Sequence, residues 1–328
     1  MKNKETYGTA IRPAFEYLLD NYPEFFIIGQ GLWSPWYVGN TMTDLDKKYG
    51  EHRIIDTPVS EAAVTGLAVG ASLCGSKPVV VHPRIDFMLY AMDPVVNQAA
   101  KWAHMTGGSS NPGLTVRCII NRGGEQGAQH SQSLHSWFAH IPGLRVVMPY
   151  SVEDARDLLI ASVLCKDPVI FIDDNWLYKE EDELKPITEM KLSSIEPKVI
   201  CEGADITIVG SSYSTKLAVD AANLLKSNYG ISSDVVDLRV LSPLNNKNII
   251  NSVLKTKNLI VIDGGTKTAG FAAEIITSVV ENIPENTLNS KPLRLTLPDC
   301  PAPTSRVLED AYYPNISDIV NKIVTNLG

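Results

Sequence analysis

Residues 54–75 read Ile-Ile-Asp-Thr-Pro-Val-Ser-Glu-Ala-Ala-Val-Thr-Gly-Leu-Ala-Val-Gly-Ala-Ser-Leu-Cys-Gly, a β-branched run that passes into a helical one. Thr57 suits a helix cap, Pro58 the first helical position and Gly75 the end. Between Pro58 and Leu73 the chain is Ala, Val, Gly and Leu nearly all round, the pattern of a helix buried on every side. Glu61 is the single charged residue of that span. An ionised carboxylate in such surroundings must pair, protonate, or be kept for a ligand that carries a donor or a basic nitrogen. The simpler alternative is that it complements the positive end of the helix dipole.

Working outward, short β-rich runs (Phe25–Ile28, Pro78–His82, Val116–Ile120, Val146–Met148, Val169–Ile172) alternate with helical stretches such as Asp93–Met105 and Val152–Leu164. That alternation predicts an α/β fold, a parallel sheet with helices on both faces. From Lys179 to Lys198 the chain turns charged and Pro-punctuated, as linkers do. We therefore expect one domain over residues 1–185, a linker over 186–200 and a second, smaller α/β domain over 201–328. In the latter the rhythm resumes with Ile206–Val209, Lys216–Leu225, Val235–Leu238, Asn248–Leu254, Leu259–Ile262, Phe271–Val280, Leu293–Leu297 and Ile316–Leu327.

The 328 residues carry a net charge of −8, which disfavours nucleic acid and anionic membrane as partners. No run approaches the ~20 apolar residues of a bilayer span, and Met1–Tyr7 lacks a secretory apolar core, so the expected location is cytoplasmic. The five cysteines are scattered with no Cys-x-x-Cys, the pattern of reduced thiols rather than of a metal site. Walker loops, Gly-x-Gly-x-x-Gly and Gly-x-Ser-x-Gly are all missing, which lowers the weight of those nucleotide-binding and hydrolase classes.

Three further clusters can carry chemistry. Gly123–Leu144 follows a strand and holds His130, His135 and His140, imidazoles suited to acid–base work near neutral pH or to structural hydrogen bonds. Their spacing and the lack of an acid-rich second group leave no metal site to expect. His82–Asp93 follows another strand; Phe87 in it can cover a flat heterocycle or fill the core. Asp263-Gly264-Gly265 ends a strand in the second domain and reads as a tight turn.

Taken together these segments resemble the β subunit of the thiamin-diphosphate-dependent 2-oxo acid dehydrogenases, the decarboxylating component of the pyruvate, branched-chain and acetoin complexes. The resemblance runs nearly end to end. It is carried by Arg53–Glu61, Gln129-His130-Ser131-Gln132, His140–Val147, Asp237–Leu244, Asp263-Gly264-Gly265 and Pro301-Ala302-Pro303 leading to Leu308-Glu309-Asp310. It implies an N-terminal thiamin-pyrimidine-binding domain and a C-terminal transketolase-like domain. Glu61 matches the glutamate that hydrogen-bonds the aminopyrimidine nitrogen, Phe87 the aromatic residue against that ring, and His130 the histidine facing substrate and lipoyl group. A low dielectric strengthens such a carboxyl–nitrogen contact.

The resemblance also implies partners. The chain lacks the Gly-Asp-Gly…Asn-Asn pattern that binds magnesium and diphosphate, so Mg2+ is held mainly by an α subunit, the thiamin diphosphate is shared, and the assembly is an α2β2 heterotetramer. Relatives bind potassium through the stretch matching Cys165–Asp174 and dock on a lipoyl acyltransferase core. Several positions depart from the pattern: Gln30 stands where relatives have an acid near the pyrimidine, Trp33 and Trp36 add bulk, and Arg84 replaces an apolar or aromatic residue. Arg84 is thereby a candidate substrate-binding residue beside His130. The expected reaction is decarboxylation of a 2-oxo acid with acyl transfer to a lipoyl group. The alternative is a split transketolase or carboligase that delivers the unit to an aldehyde, ketone or sugar; a non-catalytic scaffold subunit is a third reading.

Overall fold

In the computed structural model, which describes residues 4–328, the chain divides into two compact units. The first comprises the described residues up to Asn121 together with Trp137–Ile195; the second comprises Arg122–Ser136 and Glu196–Gly328.

The first unit opens with β1 (Lys4–Thr6) and α1 (Tyr7–Asn21). Thr6 and Thr9 cap α1 reciprocally, and its Tyr7, Ile11, Phe15 and Leu18 face is fully buried. The strands that follow are β2 (Phe25–Gln30), β3 (Ile54–Thr57), β4 (Lys77–His82), β5 (Thr115–Ile120), β6 (Arg145–Val147) and β7 (Val169–Asp174), with β8 (Glu181–Glu183) pairing antiparallel to β1. Within the unit they lie in the order β6-β7-β5-β4-β2-β3, every pair parallel. Val79, Val80, Val81, Ile27, Ile119 and Phe171 are sealed from water, as expected of parallel strands covered on both faces. Helix α2 (Glu61–Leu73) packs on β4. A π-helical stretch, Asp93–Ala99, runs into α3 (Ala100–Met105), and α4 (Val152–Val163), capped by Ser151, packs against α1.

An ion pair runs through this core. Arg117, on β5, sends Nε and Nη2 to the two oxygens of Asp173 at 3.1 and 2.7 Å, and both side chains are fully buried. Nη1 donates to Thr41 Oγ1 at 3.1 Å, and Tyr178 Oη donates to Asp173 at 2.6 Å. Burial pushes the Tyr178 and Tyr7 phenols well above their ordinary value, and the Asp173 charge adds to it.

The second unit holds β9 (Lys198–Cys201), β10 (Ile206–Gly210), β11 (Ser233–Asp237), β12 (Val240–Ser242), β13 (Leu259–Thr266) and β14 (Leu293–Leu297). Its sheet runs β14-β13-β10-β11-β9, parallel except for the edge strand β9. Helices α5 (Tyr213–Tyr229), α6 (Lys247–Thr256), α7 (Phe271–Val280) and α8 (Ile316–Leu327) complete it. Ile206, Ile208, Val235, Ile260 and Ile262 from the strands meet Leu217, Ala221, Leu225, Ile319 and Ile323 from α5 and α8. Each expected strand and helix of this half is present, with ends shifted by a few residues.

The opening segment folds differently from its sequence pattern in two respects. Thr57 does not cap a helix and Pro58 does not begin one: Thr57 is the last residue of β3, in register with Gln30, and α2 begins at Glu61. Ser60 takes the cap position but makes no side-chain cap bond. Nor is α2 buried on every side. Thr65, Ala68, Val69 and Ser72 face inward, whereas Ala62, Ala63, Gly66, Leu67 and Gly70 are exposed, Leu67 by 57%. Among the described residues no helix is long and apolar enough to cross a membrane.

Candidate active site

In the first unit the chain leaves β2 to form β3 on one side, then returns to β4 on the other, so the carboxyl ends of β2 and β4 flank the point where strand order reverses. Open α/β sheets bind ligands in that crevice. Four of the sequence-chosen residues stand along this edge. Gln30 is the last residue of β2. Glu61 begins the helix that follows β3. Arg84 and Phe87 lie just past β4, Phe87 on the short helix Ile85–Met88. All four are half-buried.

The edge is built by close backbone approaches. At Gly29 a Cβ would sit 2.4 Å from the Val81 carbonyl oxygen, so only glycine lets β2 and β4 come this near. Gly31 has φ +68°, and a Cβ there would press into the Tyr37 ring. The Asp56 carboxylate accepts from the N–H groups of Gly31 and Leu32 at 2.6 and 3.2 Å, tying β3 to the loop after β2. Trp33 Nε1 donates to the Ile54 carbonyl at 3.0 Å. The sequence reading gave Asp56 no role; its place one residue before a strand end, beside a Gly-x-Gly turn, is the signal that marks it.

Against this fixed frame the Glu61 carboxylate has no hydrogen-bond or ion-pair partner among the described residues. Thr57 Oγ1, also on this edge, is sealed from water and likewise unpartnered. Buried polar groups normally find partners. A carboxylate and a hydroxyl left open on the same sheet edge as a half-buried phenyl ring are the group types that a flat heterocycle with ring nitrogens and an exocyclic donor would need.

One turn below Glu61, Thr65 Oγ1 meets His82 Nε2 at 3.1 Å, linking α2 to the end of β4. Burial lowers the His82 pKa from its ordinary 6.5 to about 4. The neutral imidazole is tolerated in the folded chain above pH 6.5, where the unfolded chain is neutral too. As pH falls from 6.5 toward 4 only the unfolded chain takes the proton, so stability declines, by about 1.4 kcal/mol per pH unit from this residue. Urea unfolding between pH 7 and 4.5 checks this: His82→Gln, which keeps a partner for Thr65, is expected to flatten the acid limb by that slope.

His130 is carried by the loop Arg122–Ser136, which belongs to the second unit, and it is half-buried at the end of a short 3-10 turn, Ala128–His130. The same loop holds a pairing that sequence inspection missed. His135 Nε2 meets Asp263 Oδ1 at 2.9 Å, and its Nδ1 meets Ser133 Oγ at 3.0 Å. Burial pushes the Asp263 carboxyl up, but the imidazole's charge and hydrogen bond and the N–H groups of Gly265 and Ala272 outweigh it and hold it below the usual range. His135 and Asp263 lie in separate sequence motifs 128 positions apart, a separation that leaves no local signal of the contact. His140 is exposed. Among the described residues no group of three or more His, Cys, Asp or Glu side chains is placed to hold a metal ion.

Comparison with known proteins adds an independent line. Residues 3–179 match the transketolase pyrimidine-binding domain model, and residues 196–319 match the transketolase C-terminal domain model. The chain is 36% identical to the mitochondrial pyruvate dehydrogenase E1 component subunit beta of Saccharomyces cerevisiae, over 97% of this chain and 87% of that protein. The Arabidopsis thaliana subunit beta-1, also mitochondrial, is 37% identical over 96% and 87%, and the human subunit beta 32% identical over 98% and 90%. Among solved structures, a split-gene transketolase described as an inactive beta4 tetramer superposes with a TM-score of 0.78 at 18% identity, covering 98% of both chains.

Proposed function

Because the chain belongs to the transketolase-like family, among the E1 β subunits of the thiamin-dependent dehydrogenases, we propose that it forms, with an α subunit, a site that decarboxylates a 2-oxo acid and passes the acyl unit to a lipoyl group. The observation that carries this reading is the pairing of near-full-length similarity to E1 β subunits with a Glu61 that has no partner among the described residues at the switch-point edge. Thiamin diphosphate, held here, would supply a nucleophilic ring carbon and an electron sink for decarboxylation.

The chain's own residues do the rest. Glu61 holds a proton against the aminopyrimidine nitrogen, Phe87 packs on that ring, and Gln30 meets its polar edge. His130 gives or takes a proton at the substrate oxygen and faces the incoming lipoyl group. Arg84 binds substrate. On this reading residues 1–185 are the pyrimidine-binding domain, 186–200 the linker and 201–328 the C-terminal domain. Mg2+ is held mainly by the α subunit, and K+ by backbone carbonyls of Cys165–Asp174.

The exposed face of α2 supports the α2β2 assembly. Ala62, Ala63, Gly66, Leu67 and Gly70 present an apolar strip on the helix that Glu61 opens, and nothing lies within 4 Å of a Cβ built at Gly66 or Gly70. Apolar surface of this kind marks contact with another chain. A lipoyl acyltransferase core is the further partner of the completed heterotetramer.

Product analysis tests the reaction. The chain reconstituted with its α partner is expected to release CO2 from a 2-oxo acid and to form acyl-dihydrolipoamide only when a lipoyl acceptor is supplied. Free acyloin or ketol product independent of lipoyl acceptor would instead establish the carboligase alternative.

A further inference from the structure

The switch-point edge carries the positive charge of Arg84, which meets no counter-charge among the described residues. Arg84 lines a cleft of about 190 Å³ together with Trp36, Tyr37, Pro83, Asn121 and Tyr178. Its guanidinium makes no hydrogen bond or ion pair among the described residues, and its Nη1 is sealed from water. The neighbouring polar groups are spent: Asn121 Nδ2 donates to the Pro83 carbonyl at 3.0 Å, its Oδ1 accepts from Asn175 at 2.7 Å, and the Tyr178 hydroxyl is fixed on Asp173. A guanidinium offers five donors in a planar fork that matches a carboxylate, and a dry, unpaired donor costs free energy. The cleft is thus shaped for an anion from outside the chain. No second cation lines it, which suits a singly charged planar carboxylate better than a phosphate dianion.

That carboxylate is not the reacting one. When CO2 leaves, the bond to the acyl carbon breaks, its electron pair stays on that carbon, and the carboxylate oxygens lose their charge. A cation bound to them would stabilise the ground state and not the transition state, slowing the step. Arg84 also follows β4 whereas Glu61 follows β3, and β2 lies between those two strands, whose axes are about 10 Å apart.

We propose that Arg84 reads a second carboxylate, one that remains on the acyl unit, and that the substrate is a dicarboxylic 2-oxo acid. The substrate assignment rests on the decarboxylating reading above; the anion site does not.

Two measurements test it. The full chain alone is titrated with succinate, followed by tryptophan fluorescence, since Trp36 is 89% exposed at the cleft. Wild type is expected to bind succinate more tightly than inorganic phosphate, with R84K weakened and R84Q losing about 10–100-fold, as for a hydrogen-bonded charge. R84M without ligand is expected to melt about 1–3 °C above wild type, because an unsatisfied charge is gone. Unchanged succinate binding in R84Q, tighter binding of phosphate, or a fall of several degrees in R84M overturns the anion site. In the reconstituted pair, the ratio of kcat/KM for 2-oxoglutarate over pyruvate is expected to drop 10–100-fold in R84Q. A ratio that stays within threefold overturns the substrate class, and a pair that binds succinate through Arg84 yet decarboxylates nothing sinks the parent reading while leaving the site standing.

Discussion

Glu61→Gln, assayed in the chain reconstituted with its α partner, is expected to lower turnover by about 10²–10⁴-fold, the range for an essential proton-transfer group. The substitution keeps size and shape but removes the acid that shares a proton with the pyrimidine. Folding should hardly register the change. Glu61 has no partner among the described residues, so the structural loss is its favourable place at the start of α2, worth about 0.3–1 kcal/mol. Turnover and unfolding free energy measured on the same preparation separate the readings. A rate within threefold of wild type would establish the scaffold subunit.

The largest stability effect is expected at Arg117→Met. The substitution leaves Asp173 fully buried, with one Tyr178 hydroxyl in place of a bidentate guanidinium. Breaking a buried pair from one side typically costs about 3–5 kcal/mol, because the remaining charge is uncompensated. Urea denaturation should show a loss of that size, and R117M/D173L should recover most of it, since replacing both partners with apolar groups is often near neutral. If the double variant is no more stable than the single one, the pair does more than neutralise itself. Tyr178 lines the Arg84 cleft and owes its orientation to Asp173, so R117M should also weaken succinate binding there.

Most of the architecture was legible because β-branched runs such as Pro78-Val79-Val80-Val81 admit little but a covered strand. The first turn after β3 was not. Thr57-Pro58 carries the chemistry of a cap and first helical residue, yet the ladder to Gln30 claims Thr57 for the strand, and the helix waits until Glu61. Tertiary pairing overrode a local preference. The all-apolar composition of α2 was read as burial within one chain; composition records that a face avoids water, not which molecule covers it. Arg117 escaped notice inside a strand because its partner lies 56 residues on, and His135 because Asp263 lies 128 residues away. Pairings between distant charges leave no periodic trace. Of the candidate residues, Glu61 stands out as a lone charge in an apolar segment, Gln30 and Arg84 as departures from the family pattern, and Phe87 as an aromatic residue following a strand.

The loop Arg122–Ser136 is strung between two strands of the first unit but is a member of the second, where His135 meets Asp263 and Glu125 N–H meets Glu309 at 3.0 Å. A gene cut near residue 195 would therefore not release two modules. The downstream fragment would keep Asp263 inside its sheet without the imidazole it bonds, and Glu309 without the amide it accepts from. The upstream fragment would carry a fifteen-residue excursion with nowhere to settle. Ancestral fusion or fission of these halves would have to move that excursion along with the seam.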